Sequence, residues 1–364
     1  MEGLNQEESL DLLSWNAFRN MQVYESYKDV MEDVISYASG LPLALELIGS
    51  ELYGKNVREW EPMLNGCKRI PHNTIQQILE VSYHGLQEQG QDAFLDIACF
   101  YNRKALEYVK KMVGNVHDFD PNYQIGVLLD QCLIKIDDYG CIKMHDLVQD
   151  MGREIVRQES PKNPGKRSRI WSREDILHVL ERSEGTSEVI VIIQVESFEC
   201  IDIDWDGTAF KSMKNLQILI LENAKFSQGP KYLPNSLAVL RWRGYPSSSL
   251  PDSFRPKYLV ELDLRDRNFK SIMEAVNKLI LQKANVNVLD FTGCEYIQKI
   301  PNLSSLPCLK ELWLGDCANL IEIDNSVGQL PKLESLYVSN CTQLTTFPSE
   351  LNTPYLVSLG LRGC

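Results

Sequence analysis

The 364-residue sequence predicts an α+β chain of several domains, helical in its first half and made of repeated α/β units in its second. Three observations carry that prediction. Apolar residues recur at helical spacing through the first half, a leucine template recurs through the second, and a stretch rich in proline and basic residues separates the two.

The template is LxxLxLxxC, with first positions at Leu216, Leu237, Leu259, Val286, Leu309, Leu333 and Leu356, spaced 21, 22, 27, 23, 24 and 23 residues apart. This is the pattern of a leucine-rich-repeat solenoid over residues 186–364. Each repeat contributes a short strand whose leucines enter a shared core while the residues between them face a concave surface. Val189 to Ser197 reads as a leading strand. Cys294, Cys317, Cys341 and Cys364 close four of the repeats, so they are expected to stack as a buried thiol ladder and not as disulfides. Between the second and third core positions stand Arg241, Trp313 and Tyr337 among others. Trp313 and Tyr337 fall on neighbouring strands about 4.8 Å apart, and adjacent aromatics on an open face are what protein-binding hot spots use. Loops covering them are the structural alternative.

In the first half, helical patterns cover Glu7 to Asn20, Thr74 to Tyr83, Gln89 to Tyr101 and Asn122 to Gln131. Leu41, Ala44, Leu45, Ile48 and Leu52 mark a further helix, with Pro42 in its first turn, where the missing N–H costs least. LIKI, the turn DDYG and CIKM then predict a hairpin leading into a helix that starts near His145. Helices, a hairpin and a further helix make a winged-helix-like domain. The segment SPKNPGKRSRIWSRED reads as a solvated linker, with Lys162, Lys166, Arg167, Arg169 and Arg173 available to dock onto the acidic remainder of the chain.

A net charge of −13 and a pI near 5.0 argue against nucleic acid or an anionic membrane as the main partner. No CxxC pair, no apolar run of membrane-spanning length and no signal peptide occur, so a cytoplasmic or nucleocytoplasmic location is expected. Gly165-Lys166 invites a phosphate-loop reading, but Ser160 and Arg167 stand where that motif needs glycine and Ser or Thr. Neither G-x-S-x-G nor G-x-G-x-x-G is present, and no metal is expected. His145-Asp146 admits several roles: helix cap, ligand contact, metal ligand or acid/base pair. The other histidines lack ligand spacing, so residue chemistry alone favours a cap and leaves a ligand contact open.

Four runs occur in order: GLPLALELIGSEL (Gly40 to Leu52), FLDIACF (Phe94 to Phe100), MHDLVQDMGREIVRQE (Met144 to Glu159) and NPGKRSRIW (Asn163 to Trp171), followed by the repeats. Together they resemble plant disease resistance proteins of the nucleotide-binding, leucine-rich-repeat type that carry an N-terminal TIR domain. The resemblance implies the C-terminal part of an NB-ARC helical subdomain at 1–66, a winged-helix subdomain at 67–160, a linker at 161–185 and repeats at 186–364. It implies that Pro42 of the GLPL motif packs on the adenine of ADP or ATP. It also implies that His145, within the switch motif Met144, His145 and Asp146, contacts the terminal phosphate of ADP, while Asp146 supports the helix start.

The expected function is that of an immune receptor. Its repeats recognise a pathogen effector or a guarded host protein and hold the receptor inactive against its own nucleotide-binding domain, with homo-oligomerisation on activation. No enzyme is expected, since NAD hydrolysis in this class resides in the TIR domain. The chain reads as truncated at its N-terminus and incomplete at its C-terminus. A nucleotide-independent repeat scaffold or adaptor is the alternative function, and a DNA-reading winged helix is a further one.

Overall fold

The computed structural model describes residues 4–19, 27–38, 40, 42–56, 60, 83–117, 119–131, 133–194, 200–265, 269–270 and 272–364. They divide into two compact units, Met1–Gln158 and Glu159–Cys364.

The first unit opens with α1 (Gln6–Phe18), started by a capping box in which Asn5 and Glu8 each accept the other's backbone N–H at 2.9 Å. Then come α2 (Lys28–Ala38) and α3 (Pro42–Leu52). Leu13 and Ala17, Val30, Met31 and Val34, Leu45, Ile48 and Leu52 bury one face of each of these helices around Trp60. Full burial of an aliphatic side chain stabilises by roughly 1.5–3 kcal/mol, so this shared cluster accounts for helices whose own propensity is modest. The helix expected from Thr74 lies outside the described residues up to Tyr83.

Next are α4 (Glu88–Asp96), a wide π-type turn at Ile97–Tyr101, α5 (Leu106–Val116) and α6 (Pro121–Asp130). The hairpin is as expected, with β1 (Lys135–Ile136) antiparallel to β2 (Ile142–Lys143). Its turn is held by Asp137, whose Oδ1 accepts from Tyr139 and Cys141 N–H groups. The last helix, α7 (Asp146–Glu159), packs closely on the FLDIACF run. A Cβ at Gly152 would lie 2.6 Å from that of Ala98 and 3.0 Å from the Phe94 ring, which leaves room for no larger residue.

The expected linker is not one. Residues 161–185 hold a 3-10 turn at Pro164–Lys166, β3 (Arg169–Ile170) and α8 (Arg173–Glu181), and β3 is the first strand of the main sheet of the second unit. The basic side chains explain the difference. Arg167 is buried and donates to the Ser160 and Pro161 carbonyls and to Asp175 Oδ2 at 2.8 Å, and Arg169 is buried as well. Basic residues that reach into backbone carbonyls and a carboxylate fold a segment that composition alone reads as solvated.

From there β4 (Val191–Gln194), β5 (Ile201–Ile203), β6 (Ile218–Leu221), β7 (Ala224–Phe226), β8 (Val239–Trp242) and β9 (Glu261–Asp263) follow. After α9 (Ile272–Leu281) come β10 (Val288–Asp290), β11 (Lys299–Ile300), β12 (Glu311–Trp313), β13 (Glu322–Ile323), β14 (Ser335–Tyr337) and β15 (Ser358–Gly360). Nine of these strands, β3, β4, β6, β8, β9, β10, β12, β14 and β15, form one parallel sheet in chain order, one per repeat from β6 onward. The longest repeat spacing, Leu259 to Val286, is the one that contains α9. The leucine heads from Leu216 to Leu333 are fully buried.

A feature of the turn after six of the repeat strands escaped the template. Asn223, Gly244, Gly293, Asp316, Asn340 and Gly363, each seven residues past a repeat head, all take positive φ between 54° and 77°. Only Gly, Asn and Asp visit that region at little cost, so the chain turns off the sheet at one repeated position.

The thiol ladder is buried as expected at Cys294, Cys317 and Cys341, but not at Cys364, which is exposed. Each Sγ donates to a carbonyl of the preceding repeat: Cys294 to Leu264, Cys317 to Phe291, Cys341 to Leu314 and Cys364 to Val338. The neighbouring Cys341 thiol, and then burial, push the Cys317 thiol far above its ordinary value. Cys294, Cys317 and Cys341, all fully buried, are expected to resist iodoacetamide in the native protein and to react on denaturation, while exposed Cys200 reacts at once. Peptide mapping by mass spectrometry checks this, and native labelling of the three would contradict it.

Candidate functional site

Two places concentrate unusual chemistry, one in each unit. In the first unit, the backbone before His145 is clamped by Asn102, the residue that follows the π-type turn. Its Oδ1 accepts from Met144 N–H at 2.9 Å, and its Nδ2 donates to Met144 C=O at 3.2 Å and to Gln149 Oε1 at 2.9 Å. Gln149 in turn donates to the Ala98 carbonyl, inside that turn, at 2.9 Å. The side chains of FLDIACFYN and of α7 thus hold the residue before the helix start from both sides.

His145 itself supplies the cap. Its Nδ1 accepts from Leu147 N–H at 3.2 Å, which places the proton of the neutral ring on Nε2. That Nε2 is buried and has no hydrogen-bond partner among the described residues. A buried donor left so costs on the order of 1–3 kcal/mol. Asp146, expected as support for the helix start, is a largely exposed first-turn acid 3.9 Å from the Arg103 guanidinium.

Leu147 is buried in the same cluster as Leu45 and Ile48, so the helix that starts after His145 and the helix that starts at Pro42 share a core. Pro42 is half-buried, and Gly40 before it takes φ +76°. The two motif residues therefore stand at the N-termini of two helices anchored to one cluster, and helix N-termini favour anions. Their chemistry, a proline ring and an imidazole N–H, is of the kinds that pack on a flat base and donate to an anionic oxygen. Among the described residues no group of His, Cys, Asp and Glu is arranged to hold a metal.

In the second unit, the sheet face opposite the leucine core carries the other site. Arg241, Asp263, Asp290, Trp313, Tyr337 and Gly360 lie side by side in register across β8, β9, β10, β12, β14 and β15. The Trp313 and Tyr337 rings stack with centroids 4.0 Å apart and planes 8° from parallel. Trp313 Nε1 donates to Glu311 at 3.1 Å, and the Tyr337 hydroxyl bonds the Ser358 hydroxyl. Arg241 pairs with Glu261, and Arg265 reaches Asp263 at 2.8 Å and Asp290 and Glu222 at 3.6 Å. Burial and then the Asp263 carboxylate push Asp290 up to about 6.

The family model described as "Disease resistance protein Roq1-like, winged-helix domain" matches residues 87–160, from the start of α4 to the end of α7. TMV resistance protein N of Nicotiana glutinosa is 32% identical over 361 residues, covering 99% of this chain and 31% of that protein. Disease resistance protein RML1A of Arabidopsis thaliana is 31% identical over 98% of this chain and 36% of its own length, and RUN1 of Vitis rotundifolia 32% identical over 91% and 27%. This chain is a homologue of plant disease resistance proteins. It spans about a third of the length of the curated relatives it matches. Among solved structures, the functional domain of InlJ from Listeria monocytogenes, described as including a cysteine ladder, aligns at 14% identity and a TM-score of 0.21 over 51% of this chain and 56% of that one.

In this resistance-protein homologue, the motif residues Met144, His145 and Asp146 differ sharply in setting: Met144 is buried and clamped, His145 caps and keeps a spare donor, and Asp146 faces water. Trp313 and Tyr337 are brought together as the repeat period implied. Arg241 lies strands away from them and is engaged with Glu261. Asn102 and Gln149 were missed because a polar residue after an apolar run carries no local signal of what it will grip 40 or more positions later. Arg265 and Asp290 were legible in principle, since they occupy outward repeat positions, but their pairing depends on cross-strand register.

No helix among the described residues is long and apolar enough to cross a membrane.

Proposed function

We propose that this chain is the switch-and-recognition portion of a plant immune receptor: a winged helix whose His145 senses the phosphate end of ADP, joined to a leucine-rich-repeat solenoid that recognises a pathogen effector or a guarded host protein. The observation that supports the switch is the buried His145 Nε2–H, held at a helix N-terminus with no partner among the described residues. Bound nucleotide would supply the anionic oxygen that this donor lacks, and Pro42 would pack on the base. Release of that contact then frees the winged helix, a two-state element biased by its ligand. In the full-length receptor the same switch governs autoinhibition and oligomerisation.

The sequence contains no phosphate-loop motif, so the chain alone is expected to hold ADP weakly. In equilibrium dialysis against labelled ADP, His145→Ala is expected to lower retention several-fold without changing the unfolding free energy by more than about 1 kcal/mol. Equal retention by both forms would remove the sensor role. The stacked Trp313 and Tyr337 favour a second reading that needs no nucleotide, a repeat scaffold for protein partners. Complete absence of binding at about millimolar ADP would leave that reading alone.

A further inference from the structure

We propose that the step between Trp313 and Asp290 on the outer sheet face receives an arginine side chain of a protein partner, its guanidinium stacked on the Trp313 ring and paired with the Asp290 carboxylate. This rests on reading that face as a recognition surface and names the chemistry it recognises.

The stack is asymmetric. Tyr337 reaches Ser358 on β15 through its hydroxyl, and beside it stands Gly360, where a Cβ would lie 2.7 Å from Tyr337 Cδ1. The missing side chain lets the pair lean toward β15. Tyr337 covers one face of the indole, so the other face looks toward β10, where the register partner of Trp313 is Asp290. A flat ring next to a carboxylate three bonds long leaves a step with an aromatic wall and an acidic floor.

The charge balance says what fits there. Among the described residues one guanidinium, that of Arg265, serves Asp263, Asp290 and Glu222, and it lies closest to Asp263, at 2.8 Å against 3.6 Å for the other two. Asp290 is the carboxylate of that group on the Trp313 side and is 14% exposed. A cation entering beside it relieves the crowding of Asp263 and Asp290. Arginine satisfies both surfaces at once, because its plane stacks on indole while its N–H fork meets a carboxylate; an ammonium offers a point charge and no plane. The net charge of −13 draws a basic segment toward the chain at long range.

The test is selection of random peptides of about a dozen residues displayed on phage against the purified chain, after depletion on the Trp313→Ala variant, whose circular dichroism must match the parent. Trp313-dependent clones are expected to be enriched in arginine. Synthetic versions should lose about tenfold in affinity on Arg→Lys exchange, and about as much against Asp290→Asn, which keeps the side-chain shape. Trp313-dependent clones no richer in arginine than the input library would overturn the arginine assignment and leave the recognition surface standing. Failure to recover any Trp313-dependent clone would overturn both.

Discussion

Arg167→Met is expected to destabilise the second unit by about 3 kcal/mol or more, seen as a lower urea midpoint. Arg167 is 6% exposed and spends its guanidinium on the Asp175 carboxylate and on the carbonyls of Ser160 and Pro161. Methionine keeps much of the apolar stem and removes every one of those donors. Asp175 is then left partly buried without its cation, and two carbonyls lose their partner at the point where the chain enters the sheet. Lys166→Met, one residue earlier and exposed, provides the control and should change the unfolding free energy by less than about 0.5 kcal/mol. Adding Asp175→Asn to Arg167→Met should recover part of the loss, because the uncompensated charge is gone. Equal midpoints for the parent and the Arg167→Met protein would show the bracket to be ornamental. The same geometry explains why neutralising Arg167 and Arg169 is a poor probe of nucleic-acid contact: both side chains are turned inward, so their loss reports on folding.

This bracket also shows where sequence reading stops. The repeat half was legible because its signal is periodic: one leucine head fixes a strand, and the period fixes which residues share a column. Trp313 and Tyr337 could be paired from spacing alone, and the rings do stack. The thiol ladder was legible for the same reason. Arg167 was not, since nothing in a basic, proline-containing run tells whether its charges face water or backbone carbonyls. α2 was overlooked although Val30, Met31, Val34 and Ala38 lie on one helical face, because the pattern is short.

At His145 the sequence supported a cap and a ligand contact as rivals, and the ring serves the first through Nδ1 while leaving Nε2 for the second. A single imidazole has two nitrogens, so a choice between the readings was never required. Asn102 sets that arrangement by gripping both backbone groups of Met144 across 42 positions, a contact no local pattern encodes.

Asp290→Asn is expected to stabilise the second unit by about 2 kcal/mol at pH 7.5 and by nothing measurable near pH 4. The sign follows from where the proton is held. Burial first, and Asp263 second, raise the folded carboxylate from an ordinary 3.8 to about 6, with Arg265 and the Thr292 N–H and hydroxyl pulling the other way. The folded state therefore binds this proton more tightly than the unfolded chain does. Its contribution to stability is complete below about pH 4 and is lost as pH rises through about 6, where Asp290 must ionise beside Asp263. Asparagine has no such loss, and its carbonyl oxygen still accepts from Thr292 N–H, 2.9 Å away in the parent. Urea midpoints across that pH range decide the matter. A variant less stable at pH 7.5 would mean that the Arg265 attraction outweighs burial. A carboxylate that weakens its own fold at neutral pH needs a reason to remain, and a cation delivered by a partner is the one the sheet face supplies. The variant that stabilises the free protein is then the one that weakens the arginine-dependent complex, and measuring both in one protein ties the charge imbalance at β9 and β10 to recognition.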